Sequence, residues 1–123
     1  MDPFRIPAIS AEDALRAVEK GVRLVDVRKP AARQDPEKPA SGQTLPGAIL
    51  RNPFDMDHSD PLIRADGPIF LACVHGHEVS QFATALLLLH GKDARYVAGG
   101  FEALIAAGAQ LIPLSTKEEG DRH

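Results

Sequence analysis

Short apolar, β-rich runs alternate with helical patterns four times along this chain, and this alternation restricts its fold more than any other feature. The β-rich runs lie at residues 22–27, 45–50, 69–72 and 94–97. A strand that is apolar on both faces, as residues 69–72 would form, belongs inside a sheet that is covered on both sides. The pattern predicts a three-layer α/β fold with a mainly parallel central sheet of about five strands and helices on both faces. Ligands of such folds bind beyond the C-terminal ends of the strands.

Three helices are predicted from capping residues and apolar periodicity. The first begins at Ser10, an N-cap residue with Asp13 in the capping-box position, and ends before Gly21. The second helix, residues 79–90, is apolar on nearly every side and is therefore expected to be buried. The third helix, residues 101–107, is short and amphipathic.

The segments between these elements are predicted to be mostly irregular. Residues 29–44 contain three prolines and should form a loop with one helical turn at residues 30–34. Residues 51–67 are polar and punctuated by prolines, so we expect mostly coil there. A short edge strand is expected at residues 4–6, and a last packed segment at residues 111–113.

Length and charge indicate one domain of an ordinary type. The 123 residues suffice for one core, predicted at residues 5–112, followed by a mobile charged tail at residues 113–123. The net charge of −3 offers no basic surface for a nucleic acid. Because no apolar segment is long enough to span a bilayer and no leader pattern opens the chain, we expect a cytoplasmic protein with no membrane partner.

The only cysteine, Cys73, ends the apolar run 69–72 and is followed by a glycine-containing turn and the second helix. One cysteine cannot form an internal disulfide, which leaves a free thiol. A strand that turns directly into a helix places this thiol before unpaired N–H groups of the helix, where negative charge is favoured. Gly76 would let the turn form a concavity of N–H groups, in which a thiol ionises more readily than a free one. His75 and His77 can add positive charge or relay protons.

The residues alone leave two interpretations of Cys73 open. A cysteine at the end of an apolar strand is often a small buried hydrophobic residue, and a cysteine in such a turn is as often a reactive nucleophile. A metal site of Cys73, His75 and His77 is less favoured, because three ligands within five residues lack the usual spacing. His58 and His90 are too scattered to supply a convincing fourth ligand.

Four segments together resemble the rhodanese-like sulfurtransferases. Residues 73–78, followed by an apolar helix, resemble the six-residue active-site loop of that family. The other segments are Leu-Val-Asp-Val-Arg at 24–28, Leu-Pro-Gly-Ala-Ile at 45–49 and Tyr-Val-Ala-Gly-Gly-Phe at 96–101, in the family's order and spacing. The resemblance extends over about residues 5–108, so the chain is identified as a single-domain member of this family.

The resemblance implies an enzyme of the thiosulfate sulfurtransferase type that needs no cofactor and no metal. Cys73 would take a sulfane sulfur from a small sulfur-containing anion such as thiosulfate, or from a persulfide donor. It would pass this sulfur to a thiophilic acceptor such as cyanide, a thiol or a protein. The persulfide charge would be stabilised by the backbone of the loop, which consists of Val74, His75, Gly76, His77, Glu78 and Val79. Asp26 and Arg28 correspond to a family pair near the site, which would support it by tying loops together.

Several residues depart from the family pattern. Val74 and Glu78 stand at loop positions where many members carry a cationic or hydroxyl residue, and a carboxylate there would repel thiosulfate. Glu78 either selects a neutral, thiol-type or cationic ligand, or points to water and satisfies only the helix dipole. Thr44 replaces a histidine, a proline-rich insertion at residues 35–43 precedes it, and Leu104 replaces an aromatic residue. These departures concern the substrate rather than the fold.

Two related functions are the alternatives. The phosphatase form of this loop is one residue longer and closed by an arginine, whereas the sixth residue after Cys73 is Val79 and residues 74–79 contain no arginine. A phosphatase is therefore not favoured. The second alternative is a non-catalytic or sensing module, although the intact cysteine argues against it. The form His-Gly-His-Glu-Val-Ser at residues 75–80 also resembles rhodanese-like proteins associated with chromate or other metal-stress resistance.

Overall fold

The fold is given by a computed structural model that describes residues 6–52, 54, 56, 57 and 59–114. Strands and helices alternate through this part of the chain, as the sequence predicts. In chain order the elements are β1 (Ala8–Ile9), α1 (Ala11–Glu19), β2 (Arg23–Asp26), α2 (Pro30–Gln34), β3 (Gln43–Thr44), β4 (Ile49–Leu50), α3 (Pro61–Arg64), β5 (Ile69–Ala72), α4 (Glu78–Leu89), β6 (Ala94–Val97), α5 (Gly100–Ala106) and β7 (Ile112–Pro113).

Five of the strands form one parallel sheet in the order β1-β6-β5-β2-β4. The most apolar strand, β5, occupies the centre, where both of its faces are covered. Its register places Ala72 beside Asp26, the last residue of β2, so both strands end at the same edge of the sheet. The mainly parallel sheet of about five strands is therefore confirmed, and Cys73 and Asp26 lie at its C-terminal edge.

Alternation along β5 distributes its side chains between two cores, one on each face of the sheet. Phe70 and Ala72 belong to the core that α1 and α5 cover, whereas Ile69, Leu71 and Cys73 belong to the core that α4 covers. Successive side chains of a strand point to opposite faces. Cys73 is two residues after Leu71, so its thiol points to the same face, towards α4. Helices on both faces confirm the three-layer arrangement.

The helices lie close to their predicted positions. The Ser10 hydroxyl accepts a hydrogen bond from the Asp13 N–H at 3.1 Å and caps α1, as expected. The expectation that α4 is buried on nearly every side is wrong, because the side chains of Phe82 and Leu89 are 46% and 85% exposed. α4 covers only one face of the sheet, and its outer side faces solvent.

The predicted irregular segments contain more structure than expected. α2 confirms the predicted helical turn, but the segment 51–67 also contains α3, which Pro61 begins and the Asp60 carboxylate caps by accepting from the Leu62 N–H. β3 and β7 form a separate antiparallel pair, with Thr44 opposite Ile112. In the predicted packed segment 111–113, only Leu111 packs against the core, whereas both residues of β7 are exposed.

The two chain ends are described only in part. Among the described residues the first strand is Ala8–Ile9. Of the edge strand predicted at residues 4–6, residues 4 and 5 fall outside the described residues and Ile6 is not in a strand. At the start of the predicted tail, Pro113 lies opposite Gln43 of β3, and the Leu114 N–H donates to the Gly42 carbonyl at 2.8 Å. Residues 115–123 fall outside the described residues. The domain limits at 5–112 therefore stay a prediction. Within the described ranges, no helix has the length and apolar character needed to cross a membrane.

Candidate active site

Cys73 lies at the base of a cavity at the C-terminal edge of the sheet. β5 ends at this edge immediately before Cys73, and the chain then turns through residues 74–77 into α4. The residue is 6% exposed, and the cavity above it has a volume of about 440 Å³, within the range of roughly 300–1,000 Å³ that is usual for small-molecule sites. The cavity is lined by Arg28, Lys29, Ala32, Cys73, Val74, His75, His77, Glu78 and Val79.

Hydrogen bonds to the rest of the protein hold three carbonyl groups of the loop. The Cys73 carbonyl accepts from the Phe101 N–H at 2.8 Å, and the Val74 carbonyl accepts from the Glu102 N–H at 3.2 Å, both at the start of α5. The Gly76 carbonyl accepts from Gln81 Nε2 at 3.2 Å. In a trans peptide the N–H points opposite to the carbonyl, so the following N–H groups point away from these partners.

The N–H groups of residues 74–79 donate no hydrogen bond to another group in the described part of the chain. His77, the N-cap of α4, provides no side-chain acceptor for them either. Successive free N–H groups in a turn at a helix N-terminus form a concavity that favours an anion. The loop therefore has donors available for a negatively charged sulfur or oxygen.

Two glycines allow the backbone of the Cys73 loop to contact the backbone of the turn between β6 and α5. Gly76 and Gly100 have φ of 72° and 58°, a region that other residues rarely adopt. A Cβ on Gly100 would lie 2.6 Å from Gly76 N and closer still to the Cys73 carbonyl oxygen, and a Cβ on Gly76 would lie 2.6 Å from Gly99 N. The sequence predicts a tight turn at residues 99 and 100, and the structure adds that the loop carrying Cys73 packs against it backbone to backbone.

Asp26 and Arg28 form a fully buried ion pair beside the loop. Arg28 Nη2 lies 2.7 Å from Asp26 Oδ2, and Arg28 Nε donates to Asp26 Oδ1 at 3.0 Å. The same guanidinium donates to the carbonyls of Ala40 at 2.9 Å and Gln43 at 2.5 Å, both in or next to the insertion 35–43. It also lies over the Phe101 ring, 4.1 Å from its centroid. Arg28 borders the cavity with its donors already engaged by the protein.

Thr44 and Arg33 complete this buried polar cluster. Thr44 Oγ1 donates to Asp26 Oδ2 at 2.8 Å, so the threonine that stands in place of the family's histidine binds the carboxylate of the ion pair. Arg33 Nε lies 3.9 Å from Asp26 Oδ1, and its side chain is fully buried. Sequence reasoning missed Arg33, because an arginine in a short polar turn has the pattern of an exposed residue.

His75, His77 and Glu78 lie at the rim of the cavity. His75 Nδ1 lies 3.7 Å from Glu102 Oε2, and the rings of His75 and His77 are 6.3 Å apart between centroids. Both histidines line the cavity and both are exposed. Glu78, the first residue of α4, is exposed and also lines the cavity.

The described residues bring no three His, Cys, Asp or Glu side chains close enough to share a metal ion. His75 and His77 turn to the cavity rim, and His75 lies near Glu102. His90 ends α4 at the opposite end from Cys73, and His58 falls outside the described residues.

Ser80 is a site residue that the sequence analysis did not single out. It lies in the first turn of α4, is fully buried, and its Oγ is 3.1 Å from Cys73 Sγ. A signal was present in the spacing, because residues one turn into a helix face back towards the strand end that precedes it. The contact was not foreseen because a buried serine in a helix ordinarily bonds to its own backbone.

The fold and this site define an α/β domain that presents a cysteine within an amide-lined loop at the edge of a parallel sheet. The family described as Rhodanese-like domain matches residues 10–107 of the chain. The chain therefore belongs to the rhodanese-like domain family, which confirms the resemblance found in the sequence.

Solved structures with the same fold include proteins of several kinds. Thiosulfate sulfurtransferase from Pseudomonas aeruginosa matches with a TM-score of 0.72 and 19% identity over 91% of this chain, which is 20% of that protein. A rhodanese-like domain protein from Staphylococcus aureus matches with a TM-score of 0.67 and 22% identity, over 89% of this chain and 100% of that one. A Rhodopseudomonas palustris protein described as a possible tyrosine phosphatase gives a TM-score of 0.70 and 19% identity, over 87% and 85% of the two chains. At these identities the likeness is one of fold. None of the curated proteins matches the chain in sequence.

Proposed function

We propose that this protein is a sulfurtransferase that carries a sulfane sulfur as a persulfide on Cys73. The observation that supports this most directly is the position of Cys73, at the base of a cavity of about 440 Å³ and beside a loop whose N–H groups have no acceptor in the described protein. Such a site stabilises a charged sulfur without help from a cofactor. Membership of the rhodanese-like family supports the same reaction class.

The proposed reaction has two steps. In the loading step the Cys73 thiolate attacks the outer sulfur of thiosulfate, a Sγ–S bond forms, and the S–S bond of thiosulfate breaks with its electron pair leaving on sulfite. In the discharge step a thiophile such as cyanide attacks the outer sulfur of the persulfide. A C–S bond forms to give thiocyanate, and the Sγ–S bond breaks with its electron pair returning to Cys73 as thiolate.

Asp26 and Arg28 have a supporting role in this proposal. The guanidinium joins the end of β2 to the insertion 35–43 and lies against Phe101, whose N–H holds the Cys73 carbonyl. The ion pair would thus keep the loop in its concave form without touching the substrate. A free nucleophilic thiol also favours a reducing compartment, so we place the protein in the cytoplasm, with a small sulfur anion or persulfide as donor and a thiol or protein as acceptor.

A phosphatase reaction is less well supported by this site. The tetrahedral dianion of a phosphate ester calls for a free bidentate arginine. Residues 74–79 contain none, and the donors of Arg28 are engaged by Asp26, Ala40 and Gln43. Phosphate-ester hydrolysis is therefore expected to stay at background in an assay run beside sulfur transfer.

Intact-mass spectrometry tests the proposed intermediate directly. Incubation with thiosulfate is expected to add one sulfur, about 32 Da, to the chain, and subsequent cyanide or dithiothreitol is expected to remove it. Because Cys73 is the only cysteine, no other thiol of the chain can receive the added sulfur. If thiosulfate, mercaptopyruvate and low-molecular-weight persulfides all leave the mass unchanged, the chain is a non-catalytic module instead.

Glu78 is proposed to disfavour anionic donors, and its replacement tests this. Glu78 lines the cavity. If its carboxylate faces the cavity, Glu78→Arg is expected to lower the KM for thiosulfate by about three- to tenfold, because the thiosulfate dianion is then attracted rather than repelled at the solvent-exposed rim. The effect should shrink at high salt because exposed charges are screened.

Glu19→Arg is the matched control for this charge change. It adds the same charge at the end of α1, which covers the other face of the sheet. An unchanged KM in Glu78→Arg, or an equal change in both variants, would show that the Glu78 carboxylate serves only the N-terminus of α4.

A further inference from the structure

Ser80 makes an unusual hydrogen bond for a buried serine inside a helix. Such a hydroxyl ordinarily donates to the carbonyl four residues before it. For Ser80 that carbonyl belongs to Gly76, and it accepts from Gln81 Nε2 instead. The Ser80 Oγ lies 3.1 Å from Cys73 Sγ, and both residues are buried. The Ser80 oxygen thus accepts a hydrogen bond from the Cys73 thiol, and the Ser80 hydroxyl is not bonded to the Gly76 carbonyl of its own helix.

Thr84, one turn further along α4, shows the ordinary arrangement. Its Oγ1 donates to the Ser80 carbonyl at 2.7 Å, and it is as fully buried as Ser80. The two hydroxyls differ in their partner and not in their burial. Thr84 therefore provides a control in which a buried hydroxyl is removed without touching the thiol.

We propose that the Ser80 hydroxyl donates a hydrogen bond to Cys73 Sγ as the persulfide is discharged, and so assists the departure of the Cys73 thiolate. This inference rests on the proposed sulfurtransferase function. In the resting thiol the S–H donates to Ser80 Oγ, and in the thiolate the direction reverses because a thiolate has only acceptor capacity. The hydroxyl can make this change by rotation, without movement of the backbone.

The two steps of the reaction should depend on this hydrogen bond in opposite ways. The inner sulfur of a persulfide is neutral and a weak acceptor, whereas the departing thiolate is charged and a strong one. The bond therefore strengthens along the discharge step and lowers its barrier. In the loading step the thiolate is the reactant and loses charge as it attacks, so the same bond does not accelerate loading.

Single-turnover kinetics of Ser80→Ala test the proposal. The wild-type protein and the variant are loaded with thiosulfate, freed of excess donor, and mixed with cyanide, with thiocyanate formation followed in time. Discharge is expected to slow by about 10- to 100-fold, the range for loss of a hydrogen bond to a charged group. Loading, followed as sulfite release with the thiol ionised, is expected to stay within about threefold. This split between the steps is a readout that a purely structural role would not produce.

Matched variants keep the test decisive. Ser80→Thr and Ser80→Val have the same shape and differ in the hydroxyl, so discharge is expected to be fast in the first and slow in the second even if both perturb packing. Thr84→Val should leave both steps unchanged. Equal rates of discharge with and without the hydroxyl, or equal slowing of loading and discharge, would overturn the role of Ser80 and leave the sulfurtransferase intact. Failure of the wild-type chain to gain the sulfur would instead overturn both proposals.

Discussion

Replacement of Cys73 by serine or alanine is expected to abolish sulfur transfer, lowering kcat/KM by more than about 10³-fold. A serine hydroxyl is not ionised near neutral pH and does not carry a sulfane sulfur, and alanine has no nucleophile at all. The structure gives no other cysteine to take over, since the chain has one. The loss should therefore be complete rather than partial.

The same substitutions should leave the fold in place. A serine at position 73 keeps a hydrogen bond within reach of Ser80, whose Oγ lies 3.1 Å from Sγ, and alanine removes a single atom from the edge of the core. Thiosulfate:cyanide sulfur transfer and urea-induced unfolding, measured on the same preparations, separate activity from stability. His90→Ala, at the far end of α4, is the control for a substitution on the same helix. Activity above about a tenth of wild type in either Cys73 variant would exclude a persulfide on this residue as the intermediate.

Most of the fold could be predicted because its signals are local. The continuous apolar run of β5 and the capping serine of α1 each determine their element over a few residues, and both were found. The helix α3 and the pair of β3 with β7 were missed because these short elements lack a continuous apolar run like that of β5. The exposure of Phe82 on α4 also follows from packing, because the sequence alone does not tell how many sides of a helix find a partner.

The candidate site also has one part that could be predicted from the sequence and one that could not. The loop around Cys73 is contiguous in sequence, and Gly76 marks its turn, so its position was predictable. The burial of Arg28 and Arg33 was not, since charged residues are nearly always exposed unless they are paired. Their partners come from the insertion 35–43 and from the end of β2, which only the folded chain brings together. A buried charge is thus a property of tertiary structure, and the cluster that supports the loop could be recognised only there.

Asp26→Ala is expected to cause the largest loss of stability among single substitutions near the site, about 3–5 kcal/mol in the free energy of unfolding. Asp26 is fully buried and accepts from the side chains of Arg28 and Thr44, and Arg33 lies 3.9 Å from it. Removal of the carboxylate leaves positive charge in the protein interior without its compensating anion. Because domains are stable by about 5–15 kcal/mol in total, the variant should unfold at a much lower urea concentration.

Asp93→Ala provides the comparison that isolates burial as the cause. Asp93 also faces an arginine, with Arg95 Nε at 4.0 Å, but its side chain is 60% exposed. Exposed ion pairs contribute about 0–1 kcal/mol, so this variant should unfold close to wild type. Similar urea midpoints for Asp26→Ala and Asp93→Ala would mean that the buried cluster does not hold the domain together. A large difference would also predict slower sulfur transfer in Asp26→Ala. Without its anion, Arg28 would no longer be fixed against Phe101, and the Phe101 N–H holds the Cys73 carbonyl of the loop.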